Sequence, residues 1–106
     1  FYQMVDVICP SVYPLYQAVP ENQTPGRHQD RQSDFERYVR ANLAEALRLA
    51  NGKPVYPYVA FQYHPSMGAL AYTVANDFNA LRPIEISREM GCNGVIIWSH
   101  IQTQAQ

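Results

Sequence analysis

The sequence predicts an α/β fold in which a parallel sheet of about three strands is covered by intervening helices. Three observations predict it. Short apolar, β-branched runs recur along the chain and end at Pro, Gly or polar residues, as buried strands do. A long amphipathic segment separates the first run from the second, and a Pro-headed, Gly-terminated segment separates the second from the third. The order is therefore strand, helix, strand, helix, strand, within a chain of 106 residues that reads as a single unit.

The first strand is Met4-Val5-Asp6-Val7-Ile8-Cys9, bounded by Pro10. From Pro14 to Gln32 the chain is rich in Pro, Gln, Asn and Gly without periodicity, so a long loop is expected there. Ser33 and Glu36 have the spacing of a capping box, in which each side chain satisfies a backbone donor at a helix start. Phe35, Tyr38, Val39, Leu43, Ala46, Leu47 and Ala50 follow at helical spacing, and Asn51-Gly52 supplies the stop. Lys53-Pro54 leads into the second strand, Tyr56 to Gln62, whose Pro57 is tolerable near its start. Pro65 to Leu81 reads as a loop containing a short helix around Leu70 to Phe78. Pro83 then suits the first turn of a helix that passes through Ile86 and Met90 and stops at Gly91. The turn Cys92-Asn93-Gly94 precedes the third strand, Val95-Ile96-Ile97-Trp98.

Composition narrows the functional classes. Apolar residues make up 47% and charged residues 16%, enough to bury a core and too few charges for a disordered chain. A net charge of -1 with scattered Lys and Arg argues against nucleic acid as the partner. No apolar run is long enough to span a membrane. The N-terminus, Phe1-Tyr2-Gln3-Met4, has no initiator Met and no signal-peptide pattern, so an internal segment or a processed product is expected. Cys9 and Cys92 lack metal-type spacing and are either two thiols or one bridge, the thiols being favoured. Asn22-Gln23-Thr24 is a glycosylation acceptor, which suits a secreted or extracellular protein, with the lysosome as the other compartment.

In parallel α/β architectures ligands bind beyond the carboxyl ends of the strands. That rule selects Ser11 and Tyr13 after the first strand, Tyr63 and His64 after the second, and Trp98, Ser99 and His100 after the third. Trp98 can stack on the apolar face of a sugar ring, and the hydroxyls of Tyr13 and Tyr63 can donate to a ring substituent or a developing oxyanion. Each also has a plainer reading: the tyrosines as hydrogen-bonded residues at the core's rim, Trp98 as a core anchor, the histidines as ordinary surface groups. Tyr56 and Tyr58 read as packing residues. No phosphate loop, nucleophile elbow or metal-type cluster is present, so no cofactor is expected. The acids lie on helices (Asp34, Glu36, Glu45, Glu85, Glu89), in the long loop (Glu21, Asp30), in the loop-and-short-helix segment (Asp77) or early in a strand (Asp6), and none is a convincing proton donor for glycoside cleavage.

Cys9-Pro10-Ser11-Val12-Tyr13-Pro14, then Tyr38-Val39 and Ala44-Glu45-Ala46-Leu47-Arg48, then Pro54-Val55-Tyr56-Pro57-Tyr58-Val59 running to Tyr63, then Gly91 and Gly94-Val95-Ile96-Ile97-Trp98 together resemble the C-terminal half of the hyaluronidase catalytic barrel. The resemblance covers most of the chain between Val7 and Trp98. It implies part of a TIM-type (β/α) barrel, and a glycosidase portion acting on an N-acetylhexosamine-containing, glycosaminoglycan-like polysaccharide. Tyr13 and Tyr63 would orient the substrate's acetamido group, the nucleophile in that family, while Trp98 would shape the pocket with Ser11, His64 and Ser99 nearby. The family's catalytic Asp-x-Glu pair lies upstream of the matched segment, so the chain alone is expected to be inactive. Two departures stand out: His64 occupies a position where the family has an acid, and the stretch from Pro83 to Trp98 is shorter. About three strands cannot close a barrel of eight, so either the remainder of the barrel or a homo-oligomer partner is implied. The rival reading is a non-catalytic carbohydrate-binding or self-assembling module derived from the same barrel.

Overall fold

A computed structural model describes residues 6–64 and 73–98. Its elements are β1 (Gln17–Val19), β2 (Gln29–Arg31), α1 (Gln32–Ala50), β3 (Tyr58–Ala60), α2 (Asp77–Glu89) and β4 (Ile96–Trp98). β3 and β4 pair in parallel, Tyr58 opposite Ile96 and Ala60 opposite Trp98. On the other side of β3 the segment around Ile8 to Val12 runs parallel as well, through bridges Ile8–Val55 and Ser11–Tyr58. Its backbone bonds alternate as a parallel ladder requires: Ile8 donates to Pro54, Tyr56 to Ile8, Tyr58 to Pro10 and Val12 to Tyr58. The mixed α/β class and the parallel pairing agree with the sequence-based expectation. The first strand is reduced to isolated bridges, and Met4 and Val5 lie outside the described residues.

Alternation along the strands separates two faces. Val12 and Val59 point into the main core with Phe35, Val39 and Leu43 of α1 and Ile86 of α2. Val55 belongs to a second cluster with Ala46 and Ala50, against which Ile8 packs. Fully burying a side chain the size of Leu43 or Phe35 contributes about 1.5–3 kcal/mol, so the face of α1 read from periodicity is also the face that holds the fold together. Ser11, Tyr13, Tyr56, Tyr58, Ile96 and Trp98 alternate with these core residues and fall on the face that the two helices leave uncovered.

Three local expectations need correction. The segment from Pro14 to Gln32 is a structured excursion, since β1 and β2 pair in parallel with Gln17 opposite Gln29 and Val19 opposite Arg31. Ser33 and Glu36 do not form a capping box. The N-cap is Arg31, with no side-chain cap bond; Ser33 N–H and Oγ both donate to Glu21, each at 2.8 Å, and Glu36 faces Arg40 and Arg82. The second helix does not begin at Pro83. Asn76 caps it by accepting from Asn79 N–H at 2.8 Å, and Pro83 sits buried within it. The expected helix around Leu70 to Phe78 falls largely on residues outside the described set; its described end, from Asp77, is the first turn of α2. The other end of α1 is as expected, with Asn51 in the left-handed region at φ 50° and Gly52 at φ 91°.

Candidate functional site

The rings of Tyr13 and Trp98 meet at 5.6 Å between centroids, inclined by 36°. The two residues come from segments on opposite sides of β3. The residue paired with Trp98 is Ala60, whose methyl group leaves room for the rings to approach. Lower on the same face Tyr56 lies against Gly94, where an added Cβ would stand 3.1 Å from the tyrosine ring. Gly94 is therefore a space requirement of the aromatic face. Ser11 is exposed and Trp98 is 39% exposed, so the carboxyl-end residues of this face are open to solvent.

Tyr63 occupies a different setting. It is 3% exposed, and its hydroxyl donates to Asn79 Oδ1 at 3.2 Å while accepting from Asn76 N–H at 3.1 Å. Asn79 is fully buried and reads the loop after Tyr13: its Oδ1 accepts from Ala18 N–H at 2.8 Å and its Nδ2 donates to the Tyr16 carbonyl at 3.1 Å. Asn76 Nδ2 donates to the Ala18 carbonyl at 2.9 Å. Tyr63, Asn76 and Asn79 thus form a buried polar clamp that ties α2 to β1. His64 is half-buried, and its N–H donates to the Pro14 carbonyl at 3.3 Å, holding the chain after β3 beside the chain after Tyr13. Ser99 and His100 lie outside the described residues. Asn22 stands exposed in the turn after β1.

The acids fall into two kinds. Asp34-Phe35-Glu36 has the Asp-x-Glu spacing, yet it lies in the opening turns of α1 and not at a strand end. Asp34 pairs with Arg37 at 3.1 Å, and Glu36 accepts from Arg82 at 2.6 Å and Arg40 at 2.8 Å. Arg82, then Arg40, hold the Glu36 carboxyl below its ordinary range, so it is a poor proton donor. Asp30 is the opposite case. Burial, followed by the neighbouring Asp34 charge, pushes its carboxyl up to about 6, against a weaker pull from its own backbone N–H. Its Oδ1 is buried and accepts no hydrogen bond. Asp30 falls in the segment expected to be a long loop, and nothing in the sequence signals its burial, which arises where β2 pairs with β1.

Cys9 and Cys92 are both free thiols, half-buried, and burial pushes the Cys92 thiol up, away from the reactive thiolate. Among the described residues there is no cluster of His, Cys, Asp and Glu able to hold a metal ion, and no helix is long and apolar enough to cross a membrane. No protein-family model, curated protein or solved structure matches the chain.

Proposed function

We propose that the chain is the C-terminal portion of a TIM-type barrel glycoside hydrolase of hyaluronidase type, contributing substrate-binding residues to a site whose proton donor comes from elsewhere in the barrel. The observation that carries this reading is the Tyr13–Trp98 ring pair, set at the carboxyl ends of parallel segments on the face opposite the core residues Val12 and Val59. An aromatic surface beside exposed hydroxyls suits the apolar face and polar rim of a pyranose. In this reading Trp98 and Tyr13 form the sugar platform, and Ser11, His64 and Ser99 supply hydrogen bonds to ring substituents. Tyr63 acts from behind, through Asn79 and Asn76, by fixing the loop that follows Tyr13. The ligand is an N-acetylhexosamine-containing polysaccharide. The exposed Asn22 acceptor fits a secreted glycoprotein.

Trp98 is the sole tryptophan, so its fluorescence reports on the site alone. Titration with a hyaluronan oligosaccharide should give a saturable change that Tyr13→Ala weakens, with no cleavage by the chain itself. A flat titration would sink the reading. The rival is a non-catalytic self-assembling module. It is favoured by the outer edge of β4, which has no strand partner among the described residues. A stable homo-oligomer that binds no oligosaccharide would select it.

A further inference from the structure

A cavity of about 220 Å³ is lined by Leu15, Tyr16, Asp30, Phe35 and Tyr38. We propose that it is a binding site for a small organic cation, a compact ammonium with a short apolar part, with Asp30 as counter-ion and the three aromatic rings as walls. The reading is independent of the glycosidase proposal.

Three observations carry it. First, Asp30 lines the cavity with a carboxylate that is poorly provided for: Oδ1 is buried without a hydrogen-bond donor from the protein, and the residue's own backbone N–H offsets burial only weakly. Second, the charged and titratable groups around it do not meet that need. Asp34, from α1, adds negative charge and is itself held by Arg37 on its solvent side. The Tyr38 hydroxyl donates to the Tyr13 carbonyl at 3.4 Å. His28, held at φ 57°, stacks on Tyr16 with its ring 6.3 Å away. Third, three of the five lining residues are aromatic, Tyr16, Phe35 and Tyr38, and aromatic rings attract cations while offering few hydrogen bonds. A polyol would leave most of its hydroxyls unpaired there, whereas an ammonium brings a positive charge and N–H donors to the carboxylate while its carbons rest on Leu15 and the rings.

The test is an NMR titration of backbone amides near neutral pH with n-butylammonium chloride. The neutral analogue 1-pentanol and sodium chloride serve as controls. The expected result is saturable shifts centred on Leu15, Tyr16, Asp30, Phe35 and Tyr38, absent with both controls. Binding should weaken as the pH is lowered through about 6, where Asp30 takes up its proton. Asp30→Asn, nearly isosteric, should weaken it by about tenfold or more. Absence of saturable shifts, equal binding of pentanol, or undiminished binding by a folded Asp30→Asn protein would each overturn the proposal. The pH dependence in the unaltered protein decides the matter even if the variant does not fold.

Discussion

Asp30 and Tyr63 show how one side chain's surroundings invert what its identity suggests. Asp30 has a folded-state value of about 6 against an ordinary 3.8. Between those values the unfolded chain has already released the proton that the folded chain retains, so folding stability falls as pH rises through that window and levels off above it. Asp30→Asn removes the decline. Its melting temperature should match the parent near pH 4 and exceed it near pH 7, as read by circular dichroism; identical profiles would mean that the carboxyl is not buried as described. For Tyr63 the sequence pointed to the strand end, and the structure agrees on the place, but the hydroxyl faces Asn76 and Asn79. Tyr63→Phe should therefore lower stability by about 1 kcal/mol, and more if Asn79 Oδ1 is left short of a donor. Urea unfolding measures this, and an unchanged midpoint would release the hydroxyl for a direct role toward substrate. Neither environment is written locally, because Asn79 and Ala18 are far apart in sequence and meet only in the folded chain.

At the scale of elements, what the sequence made legible was whatever repeats. The apolar face of α1, its Asn51-Gly52 stop and the apolar strands at Val59 and Ile96 all follow from periodicity and backbone preference. What it concealed were single polar contacts that outweigh a local rule. Ser33 serves Glu21 where a capping box would have it serve Glu36, and Pro83 stands buried inside α2 where a first-turn position was expected. α2 starts from Asn76, a good N-cap residue, ahead of the first-turn position expected from Pro83. Asn79 is the residue on which this element depends, because it accepts from Ala18 N–H and Tyr63 and donates to Tyr16. Asn79→Ala should cost about 2–4 kcal/mol, since it leaves several buried groups unpaired at once. If α2 were held only by its apolar contacts, the loss would be well under that, and chemical denaturation separates the two cases.

Across the whole molecule, the two helices and the uncovered sheet face carry different burdens. α1 and α2 are joined on the outside by Glu36, Arg40, Arg82 and Glu89, in which each arginine bridges both carboxylates. Arg82 chiefly lowers the Glu36 value and Arg40 chiefly lowers that of Glu89. The sign here is opposite to that of Asp30: the network's contribution is present above the ordinary carboxylate range and is lost as pH falls through the lowered values. The sheet face, by contrast, contributes little to holding the helices, because its aromatic residues alternate with the core positions. Trp98 is 39% exposed and its ring lies against that of Tyr13. Trp98→Ala should cost about 2–3 kcal/mol, one aromatic pair plus the partial burial of its ring, leaving the protein folded, yet remove binding of a hexosamine oligosaccharide measured by calorimetry. A surface kept for ligand should separate in this way. If Trp98→Ala instead unfolds the protein, the tryptophan is a core anchor, and the uncovered face is a seam awaiting further strands of the barrel.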